Sequence, residues 1–151
     1  MPTTIASKLD DVTDLILTTI RALPEATGVS IYDGPPVGND APKQLVMIGD
    51  DGDPDSDAES SFDQTWTNLA HTRKREDGEI PGAVIIGDGS VDMKTQRTAA
   101  FTLLGAIETA LLGLASDVLT ISFDSGKARP VQNNKGAACW IPFSVSYSTT
   151  L

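Results

Sequence analysis

Hydrophobic and polar positions alternate along this chain with two periods, and the places where the period changes mark the elements. Over residues 4–23, Ile5, Leu9, Val12, Ile16, Ile20 and Leu23 recur at spacings of four, three, four, four and three, the repeat of one helix face. Thr3, Thr4 and a Ser7 to Asp10 capping box mark its start, and Pro24 followed by Gly28 marks its stop. Asp10, Asp11 and Asp14 turn away from the stripe, early in the helix, where acidic side chains suit the positive end of the helix dipole.

A second stripe organises the middle of the chain. Within Asp92 to Ser116, Ala100, Leu104, Ile107, Leu111 and Leu114 fall at spacings of four, three, four and three, widened by Leu103, Ala106 and Ala110, which predicts a helix over about 92–115. The opposite face reads Thr98, Thr102, Gly105, Thr109, Gly113 and Ser116, small and neutral where a solvated helix carries Lys and Glu. A glycine inside a helix costs about 0.5–1 kcal/mol relative to alanine, so that face suits close approach of another backbone, either elsewhere in the chain or on a neighbour.

Between and after these helices the period is that of strands. VSIYDG (29–34) and QLVMIG (44–49) are predicted as two neighbouring strands, the second buried on both faces. FDQTWTNLA (62–70) alternates with period two, and a charged turn at Arg73 to Gly78 leads to a return strand over Ile80 to Ile86, with Pro81 pointing to an edge or a bulge. GDGS (87–90) is a strand-to-helix turn with Ser90 or Asp92 as cap. Two final strands, about 118–124 and 137–149, form an antiparallel hairpin in which Ile141, Phe143, Val145 and Tyr147 make the apolar face. The pattern as a whole predicts one α+β domain over 1–151, with a mixed, mainly antiparallel sheet and two helices packed against it.

Composition narrows what such a domain does. The chain holds 21 acidic and 11 basic residues, a net charge of -10, which argues against gripping nucleic acid by phosphate neutralisation. The N-terminus lacks a cationic segment followed by an apolar run, and no apolar run reaches the roughly 20 residues of a membrane span, so a soluble protein made in the cytoplasm is expected. The single cysteine, Cys139, permits no internal disulfide and reads as a buried strand residue.

Candidate chemistry is sparse. The acidic stretch 50–61 places Asp51, Asp53 and Asp55 at alternate positions, as an EF-hand does, but its sixth position is Ser56 where glycine is needed and its twelfth is Phe62 where glutamate is needed. A solvated acidic loop is the simpler reading. With His71 as the one histidine, and no GxSxG elbow, neither a catalytic triad nor a zinc site is built. No catalytic constellation, metal site or cofactor site is expected.

The order of parts resembles the tail terminator proteins of long-tailed bacteriophages, those of actinobacteria in particular. The resemblance spans nearly the whole chain and rests on QTWTNL (64–69), the charged run Arg75 to Ile80, the helix start Asp92 to Arg97 and the strand GAACWIPFSV (136–145). Ala70 departs from the glycine expected there in relatives, and several phage neck and tail proteins share the helix-and-sheet plan. The resemblance implies an α+β subunit of a hexameric ring that caps the head-proximal end of the tail tube, halts tube growth and presents the joint to the head, inside the virion. Implied partners are other copies of the chain, the tail tube protein, a head completion or neck protein, and double-stranded DNA that passes through the lumen unbound. Another neck or tail component is the first alternative, and a calcium or ligand-binding module using the 50–61 loop is the second.

On that reading Arg73, Lys74 and Arg75, together with Lys127, Arg129 and Lys135, are the basic loops that contact neighbouring subunits or the tube. Arg97 is expected to meet an acidic partner, and Thr102, Gly105 and Thr109 are candidates for the subunit seam. Trp66 and Trp140 are expected as core or interface anchors.

Overall fold

The computed structural model describes residues 7–34, 44–49, 63–70, 73–87, 92–116, 119–125, 129–133 and 136–150. Two helices pack on one face of a mixed, mainly antiparallel sheet, the α+β arrangement that the two periods predict. Helix α1 (Leu9–Arg21) buries Val12, Thr13, Ile16, Leu17 and Ile20. Helix α2 (Met93–Leu112) buries Gln96, Ala100, Leu103, Leu104, Ile107 and Leu111. No helix among the described residues is long and apolar enough to cross a membrane.

Both helix starts are capped, by different means. At α2 the Asp92 carboxylate accepts the Lys94 N–H at 3.2 Å and is also bonded by the Thr95 hydroxyl, which together hold it below the usual carboxylate range. At α1 the N-cap position falls on Lys8, one residue beyond the Ser7 expected to open a capping box, and Lys8 makes no side-chain cap bond. Ser7 Oγ accepts the Leu9 N–H at 3.0 Å, and the Lys8 N–H donates at 3.0 Å to a carboxylate from the sheet, Glu76 Oε1. A partner 68 residues away therefore adds to the local one. Beyond Arg21 a short 3₁₀ turn, Pro24–Ala26, leads into the sheet.

Strand β1 (Ser30–Asp33) runs parallel to β2 (Gln44–Ile48), and Leu45 to Ile48 are all buried, as expected of a strand covered on both faces. Strands β3 (Asp63–Ala70) and β4 (Arg73–Gly87) pair antiparallel as the predicted hairpin does, but the run expected as its turn, Arg73 to Gly78, is strand. Period two explains the difference: Glu76, Gly78 and Ile80 alternate inward while Arg75, Asp77 and Glu79 alternate outward, so the charges decorate a strand instead of a turn.

The sheet is built on β4 and on β7 (Gly136–Thr150), antiparallel from Arg75↔Thr150 to Gly87↔Ala138. The other edge of β4 is shared by β2, opposite Gly82 to Ile86, and β3, opposite Arg73 to Glu79. The far edge of β7 is likewise shared by β5 (Leu119–Ser125) and β6 (Arg129–Asn133). The polar connection between the two final strands thus contains a strand of its own.

Pro81 is neither at an edge nor in a bulge. It sits in the middle of β4, buried and paired with Ser144. Its carbonyl accepts the Gly49 N–H at 2.7 Å, on the side where β2 ends and β3 begins. In an antiparallel strand a residue's N and C=O point the same way, so the missing proline N–H faces this handover between two partners and costs no bond to β7.

The main core lies between helices and sheet, where Ile16 and Ile20 of α1 and Ile107 and Leu111 of α2 meet Val46, Ile80, Val84, Ile141 and Val145 with essentially no exposure. Fully burying one such side chain stabilises the fold by about 1.5–3 kcal/mol. Phe123 and Phe143 stack at 5.1 Å between ring centres. A second, smaller cluster of Leu45, Met47 and Ala83 lies on the other face of the sheet, with Tyr32, Ile85 and Trp140 packed half-buried against it.

Candidate subunit interface

The outward face of α2 is exposed among the described residues. Thr98, Thr102, Gly105, Thr109, Gly113 and Ser116 are all exposed, so the close approach of another backbone that the small residues suggest is not supplied among the described residues. A Cβ placed on Gly105 would meet nothing within 4 Å. Thr102 turns its hydroxyl back to the Thr98 carbonyl at 2.8 Å, satisfying it without any outside partner. Beside this face, Thr102, Gly105, Thr109 and Ala110 form one wall of a groove of about 490 Å³ whose other wall is Leu23 to Glu25.

Two large apolar side chains stand on the same surface. Phe101 is 47% exposed and Leu112 44%. Reading only the stripe that faces the sheet overlooks them, although their positions on either side of Gly105 along the helix are a signal visible in the sequence. On α1 a third, Leu15, is 39% exposed.

Among the described residues, the backbones of Arg75 and Arg129 lie opposite different parts of β7, at Thr150 and Trp140. Arg75 is on the outward face of β4, where its guanidinium pairs with the Asp77 carboxylate of the same strand at 2.9 Å. The Asp77 carboxyl is held below its ordinary range by the Ser148 hydroxyl first and by Arg75 second. Arg73 and Lys74 open β4 opposite Ala70 and Asn68, and Arg129 opens β6 opposite Trp140. Lys127 and Lys135 lie outside the described residues, as do His71 and the acidic stretch 50–61 with its calcium reading. Arg97 is exposed on α2 and, among the described residues, makes no salt bridge.

Of the two tryptophans, Trp140 packs half-buried on the second cluster, an anchor on the face away from the helices, and Trp66 occupies β3 opposite Glu76. Cys139 is buried, and burial pushes its thiol upward in pKa, away from reactivity. The outer sheet face carries a shallow depression of about 380 Å³, lined by Asp77, Glu79, Thr120, Ser122, Ser146 and Ser148 among others.

The most unusual buried group is one that composition does not announce. Glu76 has no solvent exposure, and its Oε1 accepts both the Lys8 N–H and, at 2.7 Å, the Tyr147 hydroxyl. Neighbouring charges suggest a solvated turn there, and only its even position in β4 marks it as inward.

Neither family models nor curated proteins give a match to this chain. Among solved structures, a chain of the virion of a native gene transfer agent particle has a similar fold, with a TM-score of 0.55 and 17% identity over 90% of this chain and 92% of that one.

Proposed function

We propose that this chain is a structural component of a phage or phage-like virion, and within it the tail terminator: a ring on the head-proximal end of the tail tube that stops tube growth and joins the tail to the head. The observation that carries the reading is the near end-to-end likeness in fold to a chain of a gene transfer agent virion, covering 90% and 92% of the two chains. It agrees in kind with the resemblance read from QTWTNL, GAACWIPFSV and the central helix.

On this reading the chain is an assembly protein without catalysis or cofactor of its own. Its partners are further copies in a ring, the tube protein on one side and a neck or head completion protein on the other, while DNA passes through the lumen. The uncovered α2 face, with Thr102, Gly105 and Thr109 beside Phe101, is the surface offered to neighbours, because large exposed apolar groups gain most from being covered.

Electron microscopy of tails made with and without the chain tests this. Overlong or uncapped tails without it, and capped tails of uniform length with it, are expected; normal tails in both cases would refute the terminator role. A tail tube subunit is the competing reading, and it predicts that the purified chain extends into filaments where a terminator stops at closed rings.

A further inference from the structure

The exposed apolar residues of the two helices sit in opposite electrostatic settings. On α1, Leu15 follows Asp11 by four residues, so the two are neighbours on the helix surface, and Asp11 adjoins Asp14, which adjoins Asp10. All of these acids are exposed, and only Asp11 has an ion-pair partner among the described residues, Lys8 at 3.8 Å. On α2, Phe101 follows Arg97 by four residues, and Arg97 adjoins Lys94; both cations are exposed and neither is paired among the described residues.

The two cations also stand at the end of the helix where the backbone is already positive, and the first turn of α2 contains no acid. In a chain of net charge -10 they are the exception, and an external carboxylate relieves both the mutual repulsion and the clash with the dipole. Among the described residues no ion pair joins the acidic patch of α1 to the basic patch of α2 in the same chain. A second copy supplies the complement: each copy carries one acidic patch with an apolar centre and one basic patch with an apolar centre.

We propose that copies of this chain associate head to tail, the acidic patch around Leu15 on α1 of one copy seated on the basic patch around Phe101 on α2 of the next. Two different surfaces on each copy make the contact heterologous, the kind that closes into rings when the rotation between copies allows. The proposal deepens the assembly reading above and rests on it for the expectation that copies meet.

Sedimentation velocity of the full chain over a concentration series, with two charge-reversed variants, decides it. Asp10→Lys with Asp14→Lys makes both patches basic; Lys94→Glu with Arg97→Glu makes both acidic. Each variant alone is expected to associate roughly tenfold more weakly or worse. An equimolar mixture is expected to regain association, because each variant then meets a complementary patch on the other. Association of the wild-type chain should weaken with added salt.

Lys94→Glu and Arg97→Glu suit the α2 dipole, so their effect cannot be put down to unfolding, and circular dichroism checks the fold of both variants. A wild-type chain that stays monomeric throughout, variants that associate like wild type, or a mixture that fails to recover would each overturn the contact. None of those results bears on whether the chain limits tail length, which the microscopy reads separately.

Discussion

Tyr147 donates its phenolic hydrogen to Glu76 Oε1 at 2.7 Å, and the same oxygen accepts the Lys8 N–H at 3.0 Å, so one buried carboxylate joins β7, β4 and the start of α1. Removing a partner from such a site leaves the others buried and unsatisfied. Glu76→Ala is therefore expected to destabilise the chain by about 2–4 kcal/mol, and Tyr147→Phe by about 1–3 kcal/mol. Urea denaturation measures both; a loss below about 0.5 kcal/mol for Glu76→Ala, the size of an ordinary surface change, would show that the carboxylate does not hold the helix.

Alkaline pH tests the same pair from the other side. Burial raises the Tyr147 phenol well above its ordinary value near 10, and the hydrogen bond to Glu76 and its negative charge raise it further. Its folded-state pKa lies above the unfolded one, so the folded chain holds the proton longer. The stability it contributes is complete below about pH 10 and is lost as pH rises beyond that. Denaturation midpoints taken between about pH 8 and pH 11.5 should fall more steeply for wild type than for Tyr147→Phe in the alkaline part of the range. Parallel curves would contradict the assignment.

Two glycines of β4 lie opposite aromatic residues of β7 on the buried face, Gly78 across from Tyr147 and Gly82 across from Phe143. A Cβ on Gly78 would fall 2.2 Å from the Tyr147 ring, and one on Gly82 would fall 2.6 Å from the Phe143 ring and 2.9 Å from the Met47 carbonyl oxygen. Backbone cannot swing aside as a ring can, so Gly82→Ala is expected to cost about 2–4 kcal/mol and at least as much as Gly78→Ala. Thermal melts of the two variants check the order, and a neutral Gly82→Ala would mean that the sheet relaxes there freely.

Gly105 behaves in the opposite way. With open space around it in an exposed helix, Gly105→Ala should stabilise the isolated chain by about 0.5–1 kcal/mol. Gly105→Leu should also fold, and if the α2 face is the seam it should reduce association and tail capping. A Gly105→Leu chain that melts early would place this residue in an intramolecular contact; one that folds and assembles like wild type would remove the face from the interface.

Much of the fold was legible because period is a local property. The stripes Val12, Ile16, Ile20 and Ala100, Leu104, Ile107, Leu111 each place their own helix face against a core, whatever the partner is, and Ile141, Phe143, Val145 and Tyr147 do the same for a strand. Asp92 as a cap was legible for the same reason, since its partners Lys94 and Thr95 are within three residues. The candidate interface was legible in part: Thr102, Gly105 and Thr109 are exposed as a set, while the exposure of Phe101 and Leu112 beside them runs against the usual burial of large apolar side chains.

What only the tertiary structure decided are relations between distant segments. That β2 and β3 share one edge of β4, and β5 and β6 one edge of β7, follows from long-range pairing that no local pattern encodes. That arrangement makes Pro81 tolerable in a central strand and turns a run of charges into a strand with a buried Glu76. The sequence by itself determined two amphipathic helices, a sheet with one strongly apolar face and an acidic chain. The packing of those parts determined that Glu76 caps a helix 68 residues away and that the small face of α2 stands open to solvent, because burial and hydrogen-bond partners exist only once separate elements share one core.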